Sequence, residues 1–114
     1  MSGATMALMG SPGMIVTLSI TSDSASGVIN NHTFADNTAT AEGGTGSYAY
    51  FWTAINQING SWSFSLPSNQ VTSPIVSSVA SSTTATADLI CTVVDILAGT
   101  VVASPPAPYS YTRL

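Results

Sequence analysis

The sequence predicts an all-β domain, built as an antiparallel sandwich of seven to eight short strands. β-branched and aromatic residues supply much of the apolar content, and glycine, proline and asparagine interrupt the chain at short intervals. Apolar and polar residues alternate with the period of a half-buried strand, and no window has the period of a helix. At 114 residues the chain is long enough for one domain with a sizeable core.

The first residues do not fit the alternation. Met6, Leu8 and Met9 define no element of their own, so residues 1–12 are predicted to form an extended N-terminal arm. The sandwich is predicted at residues 13–114. Its predicted strands are 14–20, a short edge piece at 26–29, 37–42, 48–55, 61–66, 71–79, 85–96, 100–103 and 109–114.

Turn residues set the boundaries between these strands. Residues 30–32 (Asn-Asn-His) are predicted to form a turn, and the pair Asn59-Gly60 is typical of a tight hairpin between two neighbouring strands. Pro74 lacks the amide N–H that a residue in a central strand donates to a neighbouring strand. Residues 71–79 are therefore predicted to lie at a sheet edge.

Alternation also assigns faces to the two most regular strands. One parity of residues 48–55 and one parity of residues 85–96 are predicted to point inward, and the core positions are Tyr50, Trp52, Leu89, Cys91 and Val93. The opposite parity places large apolar side chains outside. The predicted protein interface is this outward set with the apolar residues of the arm: Phe51, Ile90, Val94, Met6, Leu8 and Met9. The alternative is that the N-terminal arm or the proline-rich C-terminal segment of the same chain covers this face.

The composition excludes several classes of partner. Charged residues make up 5% of the chain, against about 25% in ordinary domains, and the net charge is −4. Arg113 is the only arginine and the chain has no lysine, so we expect neither nucleic-acid binding nor a polybasic membrane contact. The N-terminal residues lack a basic stretch followed by an apolar run, which predicts synthesis in the cytoplasm without a signal peptide.

The reactive side chains each have a structural explanation. Cys91 has no second cysteine to pair with and falls at an inward strand position, so it is predicted to be a core thiol rather than a nucleophile acting with His32. His32, Asp23 and Asp36 are too few for a convincing metal site. We therefore expect no catalytic residues, no metal, no cofactor and no enzymatic activity.

Two carboxylates and a glycine cluster also have structural explanations. Asp88 and Asp95 are seven residues apart on one predicted strand, so they face opposite sides and cannot act as an acid–base pair. The glycines of residues 43–46 precede a strand rather than a helix, which indicates a turn and not a phosphate site.

Two motifs carry a resemblance to a known family. The segment GGTGSYAYFW at residues 43–52 and the segment ATADLICTVVD at residues 85–95 resemble the immunoglobulin-like and PKD-like domains. In that resemblance Trp52 corresponds to the core tryptophan and Cys91 to the second cysteine. The first cysteine is missing, and Leu89 stands where the family often has a tyrosine. The resemblance covers about residues 14–112 and implies an immunoglobulin-like sandwich without the family disulfide.

Small Ser/Thr-rich, Lys-poor domains of this kind look most like structural proteins of tailed bacteriophages. The resemblance implies a virion protein, most simply a capsid decoration protein that associates with the major capsid protein and with its own copies. A tail, collar or fibre module is the nearest alternative. A host-surface carbohydrate-binding module is another, with Trp62, Tyr109 and Tyr111 expected to be exposed for stacking on sugar rings.

Overall fold

The computed structural model describes residues 17–114, and every regular element in this range is a β-strand. None of these elements is a helix that could cross a bilayer. The strand segments are β1 (Thr17–Ser19), β2 (Asp23–Gly27), β3 (His32–Thr33), β4 (Asn37–Thr38), β5 (Thr40–Glu42), β6 (Tyr48–Ile58), β7 (Ser61–Phe64), β8 (Val71–Thr72), β9 (Pro74–Ser77), β10 (Thr84–Asp95), β11 (Thr100–Ala103) and β12 (Ala107–Arg113).

Several of these segments are pieces of one interrupted strand. β3, β4 and β5 follow one another along residues 32–42, and β8 and β9 do so along residues 71–77. β11 and β12 pair successively with the same strand, β10. When the pieces are joined, the described residues form eight strands in two layers. The prediction of an all-β sandwich is confirmed.

The first layer has β1 at one edge and β7 at the other. β1 pairs antiparallel with β5, with Leu18 opposite Ala41. Residues 32–42 then pair with residues 71–77 through β3–β9 and β4–β8, and β9 pairs with β7. This layer follows the order of the four-stranded sheet in the immunoglobulin fold.

The second layer is the five-stranded sheet. β10 lies at its centre, with β6 on one side and the successive strands β11 and β12 on the other. β2 is added at the edge, parallel to β12, with Tyr109 opposite Asp23. The order β6–β10–β11/β12 is that of the second sheet of the immunoglobulin fold.

The core fills the space between the layers and divides into two clusters. Alternate residues of β10 from Ala85 to Asp95 are buried, which explains the regular pattern of this strand. One cluster surrounds Trp62 and the other surrounds Trp52. The predicted core residues Trp52, Leu89, Cys91 and Val93 are buried, and Tyr50 is half-buried beside them.

One buried polar side chain links the two layers. Asn37 in β4 is almost fully buried, and its Nδ2 donates to the hydroxyl of Tyr109 in β12 at 2.7 Å and to the carbonyl of Thr21 at 2.8 Å. Its Oδ1 accepts from the backbone N–H of Thr21 at 3.3 Å. A buried amide is tolerated because its hydrogen-bonding groups are satisfied.

The prediction that residues 71–79 form an edge strand is wrong. β9 lies inside its sheet, between β3 and β7. Pro74 is tolerated because it is the first residue of the strand, where the missing N–H interrupts no ladder. Its carbonyl still accepts from the backbone N–H of Phe34 at 2.8 Å.

The prediction of a hairpin at Asn59-Gly60 is also wrong. The turn is present, but β6 pairs with β10 and β7 pairs with β9, so the turn carries the chain from one layer to the other. Gly60 is required here by space: a Cβ would lie 2.9 Å from the Cβ of Ala85 and 3.1 Å from Cγ2 of Val76. The sequence pair therefore marks a close crossing over the core.

Other boundaries differ by a few residues. His32 belongs to β3 rather than to a turn. Of the predicted piece at 26–29, only residues 26 and 27 belong to a strand, at the end of β2, and Val28 and Ile29 follow it as exposed residues. The predicted strand at 37–42 is divided between two pairings. The predicted N-terminal arm lies outside the described residues, as do Met6, Leu8 and Met9.

Candidate functional site

The outer face of the five-stranded sheet carries an apolar stripe. The stripe, as we define it, consists of Phe51 on β6, Ile90 and Val94 on β10, and Val101 on β11. Phe51 lies opposite Thr92, whose neighbours on the same face are Ile90 and Val94. Val94 lies directly opposite Val101, close enough for their side chains to touch.

The stripe is exposed and uncharged. Phe51 is 46% exposed and Val101 is 63% exposed, whereas Ile90 and Val94 are half-buried by their neighbours. Residues 49–54, 90–94 and 100–103 contain no Asp, Glu, Lys, Arg or His. Ile96 and Leu97, which are also exposed, follow at the turn between β10 and β11. A contiguous surface of this kind is typical of a contact with another macromolecule.

The C-terminal segment does not cover the stripe. The proline-rich segment, with prolines at 105, 106 and 108, does not fold over it, because the chain returns to the sheet at Ala107. There β12 pairs edge to edge with residues 84–89 of β10. It therefore extends the sheet sideways and does not lie over Phe51 and Val94.

Cys91 points in the opposite direction, into the core. Its side chain is fully buried, and burial raises the pKa of the thiol to about 11. The backbone N–H of Cys91 donates to Oγ of Ser104 at 3.0 Å, so it too is engaged in a structural hydrogen bond. A thiol that stays protonated at neutral pH is a poor nucleophile.

We expect Cys91 to be inert in the folded protein. An aromatic disulfide reagent at neutral pH should leave it unmodified, because both access and ionisation are suppressed. The same reagent should react fully after unfolding in urea, which serves as the control for the thiol count. Rapid modification of the native protein would contradict the buried position.

His32, Asp23 and Asp36 do not come together as a metal site. The imidazole of His32 stacks on Tyr111 with ring centroids 5.1 Å apart, and it meets Phe34 edge-on at 4.6 Å. Asp36 accepts from Oγ of Ser73 at 2.6 Å, and Asp23 accepts from its neighbouring backbone N–H. Among residues 17–114 no group of three or more His, Cys, Asp or Glu side chains converges.

Asp95 organises the end of the sandwich. Its carboxylate accepts from the backbone N–H of Thr45 at 2.7 Å, from the hydroxyl of Thr45, and from the N–H of Ala98 at 3.3 Å. Gly43, Gly44 and Gly46 all have positive φ, so the predicted glycine turn is present and is held by Asp95. These bonds, the hydroxyl of Thr45 first, lower the pKa of Asp95.

The lowered pKa of Asp95 makes the free energy of unfolding depend on pH in the acidic range. The carboxylate titrates below its ordinary value near 3.8 when the protein is folded, so its contribution is complete above that value and is lost as the pH falls through the lowered pKa. Urea unfolding measured from about pH 5 to about pH 2 should show this loss. The loss should be smaller in Asp95→Asn, and equal acid dependence in both proteins would contradict it.

The aromatic residues expected to bind sugars are in the core. Trp62, Tyr109 and Tyr111 are all buried, and Tyr109 packs against Phe34 and Trp62. The hydroxyl of Tyr111 donates to the carbonyl of Ile29 at 2.8 Å. The prediction that these rings are exposed for stacking on a ligand is wrong, because the three side chains point inward and fill the space between the layers.

A second feature of the outer face was not predicted from the sequence. Next to the apolar stripe, beyond Ile90 on β10, lies an open groove of about 600 Å³ that crosses β6, β10, β12 and β2. Asp23, Asp88 and Asn56 line it, together with seryl hydroxyls. The residues meet only through long-range pairing, including the parallel addition of β2, so no local pattern could have identified them.

Comparison with known proteins gives a fold relationship. No protein-family model and no curated protein matches the chain. A solved structure from Saccharophagus degradans, described as a nucleoside hydrolase-related hypothetical protein associated with carbohydrate metabolism, is similar with a TM-score of 0.54 and 13% sequence identity. The match covers 87% of this chain and 25% of that one. At this identity the likeness concerns the fold, which in that protein is one part of a longer chain.

Proposed function

We propose that this chain is a non-enzymatic structural protein of a bacteriophage particle, located in the virion as a capsid decoration or auxiliary protein. In this proposal it docks on other virion proteins and on its own copies through the apolar stripe. The single observation that supports docking is the exposed, uncharged outer face around Phe51. A tail-, collar- or fibre-associated module is the alternative within the same class.

The stripe has the character of the centre of an interface. Centres of protein interfaces are poor in charged residues and rich in aromatic and aliphatic ones. A stable contact buries roughly 800 Å² on each partner, so the stripe would be the centre of a larger contact that includes its polar surroundings. Repeated copies on a particle would add avidity without any stronger individual contact.

The titratable groups support a non-enzymatic role. Cys91 is buried and protonated, His32 packs against two aromatic rings, and Asp95 accepts hydrogen bonds from a turn. Each of these groups is therefore occupied by a structural contact. The assignment to a particle rests on the resemblance of this small, Ser/Thr-rich, Lys-poor immunoglobulin-like domain to structural proteins of tailed bacteriophages.

The location can be tested on purified particles. We expect mass spectrometry of particles from an infected culture to find the protein in many copies, and immunogold labelling to place it on the head. Labelling on the tail or fibres would favour the alternative module. Absence of the protein from purified particles, while it accumulates in the lysate, would overturn the proposed function.

A further inference from the structure

The groove has the volume of a small-ligand site, and its lining combines polar and apolar groups. Its volume of about 600 Å³ falls within the usual range of ligand pockets, about 300–1,000 Å³. Asp23, Asp88, Asn56 and Ser110 provide polar groups around it, and Ile58 provides an exposed apolar surface. The groove lies on the outer face, so a ligand can reach it without any rearrangement of the core.

A β-bulge shapes one wall of the groove. In the pairing of β6 with β10, Asp88 is opposite Ile55, but Thr86 is opposite Ile58, so β6 has one extra residue at this point. Asn56 lies in the bulge with a φ of 54°, in the left-handed region. Its Nδ2 donates to Oδ2 of Asp88 at 3.0 Å, which fixes one carboxylate oxygen and leaves Oδ1 for another donor.

The opposite wall has a similar arrangement. Asp23 begins β2, and its Oδ1 accepts from the backbone N–H of Ser24 at 2.8 Å. Across the sheet, Ser24 is the register partner of Ser110 on β12. The groove thus has carboxylate acceptors on two sides and hydroxyl groups, which can both donate and accept, between them.

This chemistry favours a neutral polyol. Two carboxylates and a net charge of −4 disfavour anionic ligands. Among the described residues no three His, Cys, Asp or Glu side chains converge, so a tightly bound metal ion is also disfavoured. Vicinal hydroxyls of a sugar ring can donate to carboxylates and exchange hydrogen bonds with serines, while its C–H face rests on an apolar side chain such as Ile58.

We propose that the groove between Asp23 and Asp88 is a binding site for a neutral saccharide. This site is separate from the docking function, because it uses the polar part of the outer face rather than the apolar stripe. With no exposed aromatic ring in its lining, one site binds weakly. Many copies on one particle give useful avidity for a polysaccharide surface.

The test is a titration of isotope-labelled protein with neutral hexasaccharides of glucose and of mannose, followed by amide NMR shifts. We expect shifts in residues 22–24, 56–58, 86–88 and 108–110. Asp88→Ala should weaken the affinity by about tenfold, the loss of one hydrogen bond to a charged group. Asp36→Ala removes the same charge on the other sheet and should leave the affinity unchanged.

Two further titrations decide between ligands. Calcium chloride and an oligolysine peptide should not produce the groove shifts. The proposal is overturned if none of the neutral saccharides shifts the groove residues, if the shifts map elsewhere, or if calcium or oligolysine shifts these residues and the saccharides do not. The map on the wild-type protein keeps the test valid even if Asp88→Ala fails to fold.

Discussion

Leu89→Ala is expected to lower the free energy of unfolding by about 2–5 kcal/mol. Leu89 is fully buried at the centre of β10 and belongs to the cluster around Trp62. Truncation removes its apolar contacts and leaves a cavity that the rigid strands on both sides cannot close. Urea unfolding followed by tryptophan fluorescence would measure the change.

Ile90→Ala is the matched control for this prediction. Ile90 is the next residue on the same strand, but its side chain lies half-buried on the outer face. We expect a loss of about 1 kcal/mol or less, because a surface side chain gives up little burial when truncated. Equal losses for the two variants would mean that the inward and outward faces of β10 have been assigned incorrectly.

The two tryptophans should respond differently to replacement by phenylalanine. Nε1 of Trp52 donates to the carbonyl of Asn69 at 2.7 Å. Nε1 of Trp62 is buried and has no hydrogen-bond partner among residues 17–114. Both side chains are buried, at 4% and 8% exposure, so the lost apolar area is similar.

Trp52→Phe should therefore be the more destabilising change, by about 2 kcal/mol in the free energy of unfolding. It removes a satisfied hydrogen bond, whereas Trp62→Phe removes a donor that is costly to bury. Thermal and urea unfolding of the two variants side by side would measure the difference. A larger loss in Trp62→Phe would show that its N–H contributes to stability.

The parts of the fold that could be predicted are those with strong local patterns. In β10, inward and outward residues alternate without a break, because one face of this strand packs on the core along nearly its whole length. Pro74 alone suggests a sheet edge for residues 71–79, but a proline at the first residue of β9 is compatible with a position between two strands. The pair Asn59-Gly60 correctly predicts a turn. Whether the next strand stays in the same layer or crosses to the other depends on long-range packing against Ala85 and Val76, which the pair does not show.

The same reasoning explains what could be predicted about the surface. The outward position of Phe51 follows from parity alone, so its exposure could be expected before the structure. Alternation alone does not show which of a strand's two faces packs on the core, and the sequence therefore does not reveal that Tyr109 is buried. The groove depends on a bulge at Asn56 and on the parallel addition of β2, neither of which has a local signal.

The most direct test of docking through the apolar stripe uses particles assembled without this protein. Such particles come from a phage with a stop codon in the gene that encodes this chain. Purified wild-type protein should sediment with these particles, and Phe51→Ser should stay in the supernatant. Leu66→Ser is the control, because Leu66 is a loop residue outside the stripe with a similar exposure of 50%. It should sediment like the wild type, whereas equal sedimentation of folded Phe51→Ser would contradict the account.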